Sequence, residues 1–175
     1  MTVLYLMDGI AKYQSLIGTL QWTISLGRFD IATAVMTMSS FGAAPREGHL
    51  ERLKRICGHL SKFRTAVIRF RIEEPDYSDL PKHTYDWSRS VYRDSKYPQA
   101  KDAPKPKGKY VMTTTYKDAN LCHDLMTGKA CTAVLHFLNQ TPIDWCTKKQ
   151  ATVETATYGS EFAAARTAIQ QIIGL

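Results

Sequence analysis

Apolar residues recur at helical spacing through the first third of the chain. Tyr13, Leu16, Ile17, Leu20 and Ile24 mark a first helix, and Gly27 offers a stop. Asp30 is a suitable N-cap for a second, with Ile31, Ala34, Val35, Met38 and Phe41 on one face, and the segment 42–45 (Gly-Ala-Ala-Pro) breaks it. A third helix carries Leu50, Leu53, Ile56, Cys57 and Leu60 inward and basic residues outward. Three short amphipathic helices with brief connections pack on one another. Residues 68–72 (Ile-Arg-Phe-Arg-Ile) then alternate as one half-buried strand.

The pattern lapses over residues 73–107. Five of the seven prolines lie there, with many charges and with Tyr77, Tyr85, Trp87, Tyr92 and Tyr97, which reads as a linker or insertion draped over a surface. Beyond it the period becomes that of strands: 110–116, 131–138 and 143–147 are β-branched and aromatic, with turns at Gly128 and at 139–142. These form a three-stranded antiparallel meander. A last helix starts near Thr157, with Tyr158, Phe162, Ala165, Ile169, Ile172 and Ile173 expected inward. The fold class is α+β: a three-helix N-terminal segment, a long irregular linker, then a meander plus helix. The units are a tail (1–12), a helical segment (13–66), a strand and linker (67–107) and the meander unit (108–175).

Composition adds two constraints. The chain has 175 residues, 44% of them apolar, enough for one ordinary domain or two small units. Its net charge of +7 is localised, because Arg46, Arg52, Lys54, Arg55, Lys62, Arg64, Arg69 and Arg71 face only Glu47 and Glu51 in that stretch. Such a patch attracts polyanions by counterion release, although a merely solvated helix face has the same composition. Cys57, Cys122, Cys131 and Cys146 are too scattered for a zinc ribbon or a dense disulfide framework. No signal-peptide core and no run long enough to span a bilayer is present, so an intracellular chain without a membrane partner is expected.

The residues that carry chemistry are near the end. Asp118 follows a strongly β-forming run; Glu161 lies on or beside the apolar stripe of the last helix. A desolvated carboxylate needs a partner. A divalent ion shared with Asp118 supplies one, and a salt bridge to Lys148 or Lys149 supplies another. Phosphodiester cleavage often uses two metal ions about 3.5–4 Å apart, which calls for three or four acids. Cys122 with His123 lacks a second ligand pair, and Cys57 with His59, two apart on a helix, points in different directions.

The segments YQSLIGTLQW, GRFDIATAVMTMSSF and HLERLKRICGHL resemble, in order, the region that follows the polymerase in copia-type LTR retrotransposon polyproteins. There a Y-x-S-L-I-G helix, an R-P-D-I helix and an H-W-x-x-x-K-R-x-L-x-Y-L helix succeed one another. The stretch from TYKDANLCHD to TVETATYGSEFAAAR resembles the ribonuclease H region of the same polyproteins, with its Y-S-D-A-D, I-S-W-x-S-K-K-Q and S-T-A-E-A-E-Y motifs. The resemblance implies a parent that cleaves RNA in RNA–DNA hybrids with Mg²⁺ or Mn²⁺. It makes Asp118 and Glu161 catalytic metal ligands, and adds Lys148, Lys149 and Gln150 to Arg52, Lys54 and Arg55 as nucleic-acid contacts. Asn120 replaces the second Asp of D-A-D, and Phe29 the Pro of R-P-D-I. The later ribonuclease H aspartates and the polymerase aspartates are not in this sequence. By resemblance the chain is therefore a truncated ribonuclease H-like unit, inactive alone and weak or lacking in metal binding, whose partners are a nucleic-acid hybrid and the remaining polyprotein segments. The alternative is a non-catalytic remnant that binds nucleic acid through the basic helix.

Overall fold

The computed structural model describes residues 7–81, 86, 89, 91, 101–105 and 107–175. Tyr85, Trp87, Tyr92 and Tyr97 of the expected linker lie outside them. The described elements are α1 (Met7–Ser25), a 3₁₀ turn (Phe29–Ile31), α2 (Ala32–Ser39), α3 (Glu47–Lys62), β1 (Thr113–Asp124), β2 (Lys129–Leu138), β3 (Thr141–Lys149) and α4 (Thr157–Gly174). The class is α+β, a helical segment followed by a three-stranded antiparallel meander and a helix.

The helical core follows the apolar period. Tyr13, Ile17 and Leu20 of α1, Ile31, Val35 and Met38, and Leu53 and Ile56 of α3 form one buried cluster, with Ile24, Phe41, Leu50, Cys57 and Leu60 packed around it. The Tyr13 hydroxyl donates to the Met38 carbonyl at 2.8 Å, so the one polar atom of that buried ring is satisfied. α1 begins at Met7, ahead of the expected boundary at Tyr13. It ends where expected: Gly27 has φ +109°, and a Cβ there would lie 3.1 Å from the Ile68 side chain.

Three expectations are corrected. Asp30 is not an N-cap; α2 is entered from the 3₁₀ turn through Ile31, with no side-chain cap. The carboxylate is drawn away by stronger, charged partners, Arg28 and His59. Residues 68–72 form no strand, since no ladder partner lies alongside. Their backbone is held by side chains of the β2–β3 turn: the Arg71 N–H donates to Thr141 Oγ1 at 2.7 Å, and Asn139 Nδ2 donates to the Ile72 carbonyl at 2.9 Å. On α4 the buried positions are Ser160, Ala164 and Ala168, while Tyr158, Phe162, Ile169, Ile172 and Ile173 are exposed and Ala165 is half-buried. Small side chains every four residues let the helix axis approach the sheet closely, and the bulky stripe is turned outward.

β1 pairs with β2 and β2 with β3. The strand runs on through Lys117 to Asp124 because the ladder with β2 supports its polar end, so Asp118 is mid-strand and does not close it. Gly128 (φ +69°) and Asn139 (φ +52°) form the two turns where the sequence places them. Tyr77 reaches Thr114 of β1 at 2.9 Å, so the start of the linker does lie on the sheet.

Leu53→Ala is expected to cost about 2–5 kcal/mol through the cavity left in the helical core. Tyr13→Phe is expected to cost about 0.5–1.5 kcal/mol for the lost hydrogen bond. Urea midpoints measured by circular dichroism check both; a negligible loss for Leu53→Ala shows that the helical segment does not depend on this core.

Candidate active site and nucleic-acid interface

Successive residues of a strand point to opposite faces of the sheet. Asp118 stands opposite Ala133 and Thr147, and Lys117 opposite Val134 and Cys146. The face of Thr115, Thr132 and His136 lies under α4. There Thr115 bonds His136 Nδ1 at 2.8 Å, and His136 Nε2 reaches Gln171 at 3.2 Å. Lys117 belongs to that face, and its ammonium forms an ion pair with the Glu161 carboxylate on α4. The same nitrogen lies 3.5 Å from the Glu161 carbonyl oxygen.

Asp118 belongs to the other face, which looks toward the helical segment. It is exposed and lines a cavity of about 270 Å³ with Phe29, Ala32, Thr33, Tyr116 and Trp145. Across that face the Trp145 indole N–H donates to the Ile24 carbonyl at 3.0 Å, and its ring lies 5.1 Å from that of Phe29. His123 bonds Thr37 of α2 at 3.0 Å and Asn120 at 3.3 Å, which gives this histidine a structural use.

The two sequence-predicted carboxylates therefore do not meet: Glu161 on α4 pairs with Lys117 on one face of β1, and Asp118, the next residue of the strand, belongs to the other face. Glu161 is only half-buried, and its partner is a lysine, the salt-bridge alternative with a different residue from either expected. Lys117 stands where the resembling motif has Ser in Y-S-D-A-D, and that replacement was the available signal. A hard divalent ion needs several oxygen ligands around one point. Among the described residues no three His, Cys, Asp or Glu side chains gather in that way. The donor set here does not fit a metal ion.

The lysine-rich motif after Trp145 divides among three roles. Lys148 is exposed. Lys149 forms an ion pair with Asp124 at 2.5 Å; this acid also accepts from Thr127 Oγ1 and the Met126 N–H, which together hold its carboxyl far below the usual range. Gln150 is buried, donating from Nε2 to Thr132 Oγ1 at 2.9 Å and to the Ser160 carbonyl at 2.8 Å, so it ties the end of β3 to α4. On α3, Arg52, Lys54 and Arg55 are all exposed, with Lys54 paired to Glu51 at 2.6 Å.

Sequence reasoning missed the cluster at the α1–α2 turn. The Arg28 guanidinium donates through Nε and Nη2 to the two Asp30 oxygens at 2.9 and 2.8 Å, and through Nη1 to the Phe63 carbonyl at the end of α3 at 2.9 Å. His59 adds a bond to Asp30 at 3.0 Å. These contacts, Arg28 first, lower the Asp30 pKa to about 2. The Arg-x-Asp spacing of the resembling helix motif was the signal for it.

No protein-family model matches the chain, and no solved structure does. Over 105 residues, 60% of the chain, it is 30% identical to a transposon Ty5-1 protein of Saccharomyces cerevisiae. Over 151 residues, 86% of the chain, it is 26% identical to the retrovirus-related Pol polyprotein from transposon RE1 of Arabidopsis thaliana. The chain is retrotransposon-polyprotein-like. The matched stretches make up 30% and 8% of those two relatives, so this chain spans less than a third of either. A third relative, secreted RxLR effector protein 161 of Plasmopara viticola, is 23% identical over 93% of the chain and 90% of its own length. The retrotransposon-like chain has no helix among its described residues that is long and apolar enough to cross a membrane.

Gln150→Ala is expected to cost about 1–3 kcal/mol, because two buried partners lose a donor, whereas Lys148→Ala is expected to stay within about 0.5 kcal/mol. Thermal unfolding distinguishes them; equal small losses refute the structural role of Gln150. Because the folded pKa of Asp30 lies below its unfolded value, its contribution to stability is full above about pH 4 and is lost as pH falls through about 2. Urea midpoints between these limits should fall less steeply in Asp30→Asn than in the parent chain.

Proposed function

We propose that the chain is the post-polymerase and ribonuclease H-like portion of a copia-type retrotransposon polyprotein. The parent enzyme cleaves RNA in RNA–DNA hybrids with Mg²⁺ or Mn²⁺, and this chain by itself does not. The ordered motifs and the two transposon relatives support the origin. The observation that carries the loss of cleavage is the Lys117–Glu161 ion pair with Asp118 on the opposite face. An ammonium satisfies the carboxylate that a metal would need, and the second acid is aimed elsewhere.

A second reading, binding without cutting, is favoured by the basic face of α3. Arg52, Lys54 and Arg55 are exposed together beyond an apolar stripe that holds the helix in the core. Cations so displayed contact phosphates without reading sequence.

Purified chain incubated with a labelled RNA–DNA hybrid and Mg²⁺ or Mn²⁺ is expected to leave the RNA intact, and Lys117→Ser, which releases Glu161, is expected not to restore cleavage. Robust cutting abolished by Asp118→Asn overturns this account. For the second reading, replacing Arg52, Lys54 and Arg55 by Gln should weaken duplex binding and reduce the dependence of log K on log salt by up to about 3. Unchanged affinity removes it.

A further inference from the structure

A further concave feature among the described residues is lined by neither Asp118 nor Glu161. It is a cavity of about 590 Å³ between the α1–α2 turn, the end of α3, the strap of residues 65–71 and the β2–β3 turn. That volume is in the range of small-ligand sites, about 300–1,000 Å³.

The walls are held firmly. Arg28 clamps Asp30 and the Phe63 carbonyl, so every arm of its guanidinium is engaged. The strap is pinned by Asn139, Gln140 and Thr141, with Gln140 Nε2 donating to the Glu74 carbonyl at 3.3 Å and Arg71 reaching Gln140 Oε1 at 3.4 Å. Asp30 is the one acidic residue in the lining, and Arg28 and His59 already occupy it. Arg69 and Arg71 also line the cavity, are exposed, and have no ion pair among the described residues. The mouth is therefore cationic. The interior is apolar and aromatic: Phe63, 51% exposed, and Phe29 present ring surface to it alongside Val67 and Ile68.

We propose that this cavity binds single-stranded nucleic acid, taking one unstacked base against Phe63 while Arg69 and Arg71 hold the flanking phosphates. This deepens the reading above that the chain binds nucleic acid without cutting it, and rests on that reading but not on α3 as the contact. A duplex keeps its bases stacked and its phosphates outside, so it has no free base to place against an aromatic ring in a concave wall. A single strand has both a free π-face and a flexible backbone, the two features that an aromatic platform beside cations selects. Phe70, 84% exposed on the same strap, is not among the lining residues, so the ring assigned to the base is that of Phe63. The basic stretch of the sequence thus divides in two: α3 displays charge alone, and the strap displays charge with rings.

The test is fluorescence anisotropy on the whole chain, with a labelled single strand of about 12 nucleotides and a blunt duplex of the same sequence. Single-strand affinity is expected to exceed duplex affinity. Phe63→Ala is expected to weaken single-strand binding about 5- to 100-fold with little change for duplex, and Phe63→Tyr, which keeps a ring, to restore it. Arg69→Gln with Arg71→Gln, both on exposed positions, should weaken it and lower the salt slope by about 2. Equal affinity for the two forms, or unchanged single-strand affinity in both the Phe63→Ala and the Arg69/Arg71 variants, overturns the proposal. Loss in the α3 variants alone leaves the binding reading standing and removes this site; loss in the cavity variants alone does the reverse.

Discussion

The turn that follows α1 is the constraint on which the other elements depend. Gly27 supplies a left-handed backbone that few side chains tolerate, and the space beside it is taken by Ile68. Arg28 then reaches across to the carbonyl of Phe63, the residue that caps α3, and Phe29 meets Trp145 of β3, whose indole in turn bonds Ile24. One short segment so joins α1, α2, α3 and the sheet. Bidentate pairing of Arg28 with Asp30 makes the joint rigid as well as attractive, since a planar fork on a carboxylate fixes direction in addition to distance. The concave site at the end of α3 exists because this joint holds its floor.

Much of the fold was legible because its period is simple. The three helices show in Tyr13, Ile17, Leu20, Val35, Met38, Leu53 and Ile56, and the turns show in Gly27, Gly128 and Asn139. Two misreadings have one origin, the assumption that apolar means inward. On α4 the sequence offers a bulky stripe and a small one, and Ser160, Ala164 and Ala168 take the sheet because close approach needs little volume. In the strap, Phe70 and Ile72 alternate as in a strand and are nonetheless exposed. A strand requires a neighbour, which no local pattern encodes.

The candidate site was legible as a set of residues and not as an arrangement. Asp118 and Glu161 are identified by the motifs around them, but whether they meet depends on which way each points. Strand geometry decides that at single-residue resolution: shifting a side chain by one position moves it to the other face. Lys117 faces α4 and Asp118 does not. The same consideration separates Lys148, Lys149 and Gln150, three adjacent residues with an exposed, an ion-paired and a buried environment. Their chemical types are alike in being polar, yet of the three only Lys148 is left exposed.

An ammonium and a divalent metal compete for the same feature of Glu161, its negative charge. A lysine inside the same chain has a large advantage, because its effective concentration is set by the fold and it brings no hydration shell that must be rearranged around a rigid octahedron. Displacing it is useful only if other carboxylates converge on the same point, and Asp118 is on the far side of the strand. The pair therefore acts as a clasp between β1 and α4, reinforced by Gln150 and His136 beneath the same helix. With Lys at position 117, the glutamate is part of the scaffold.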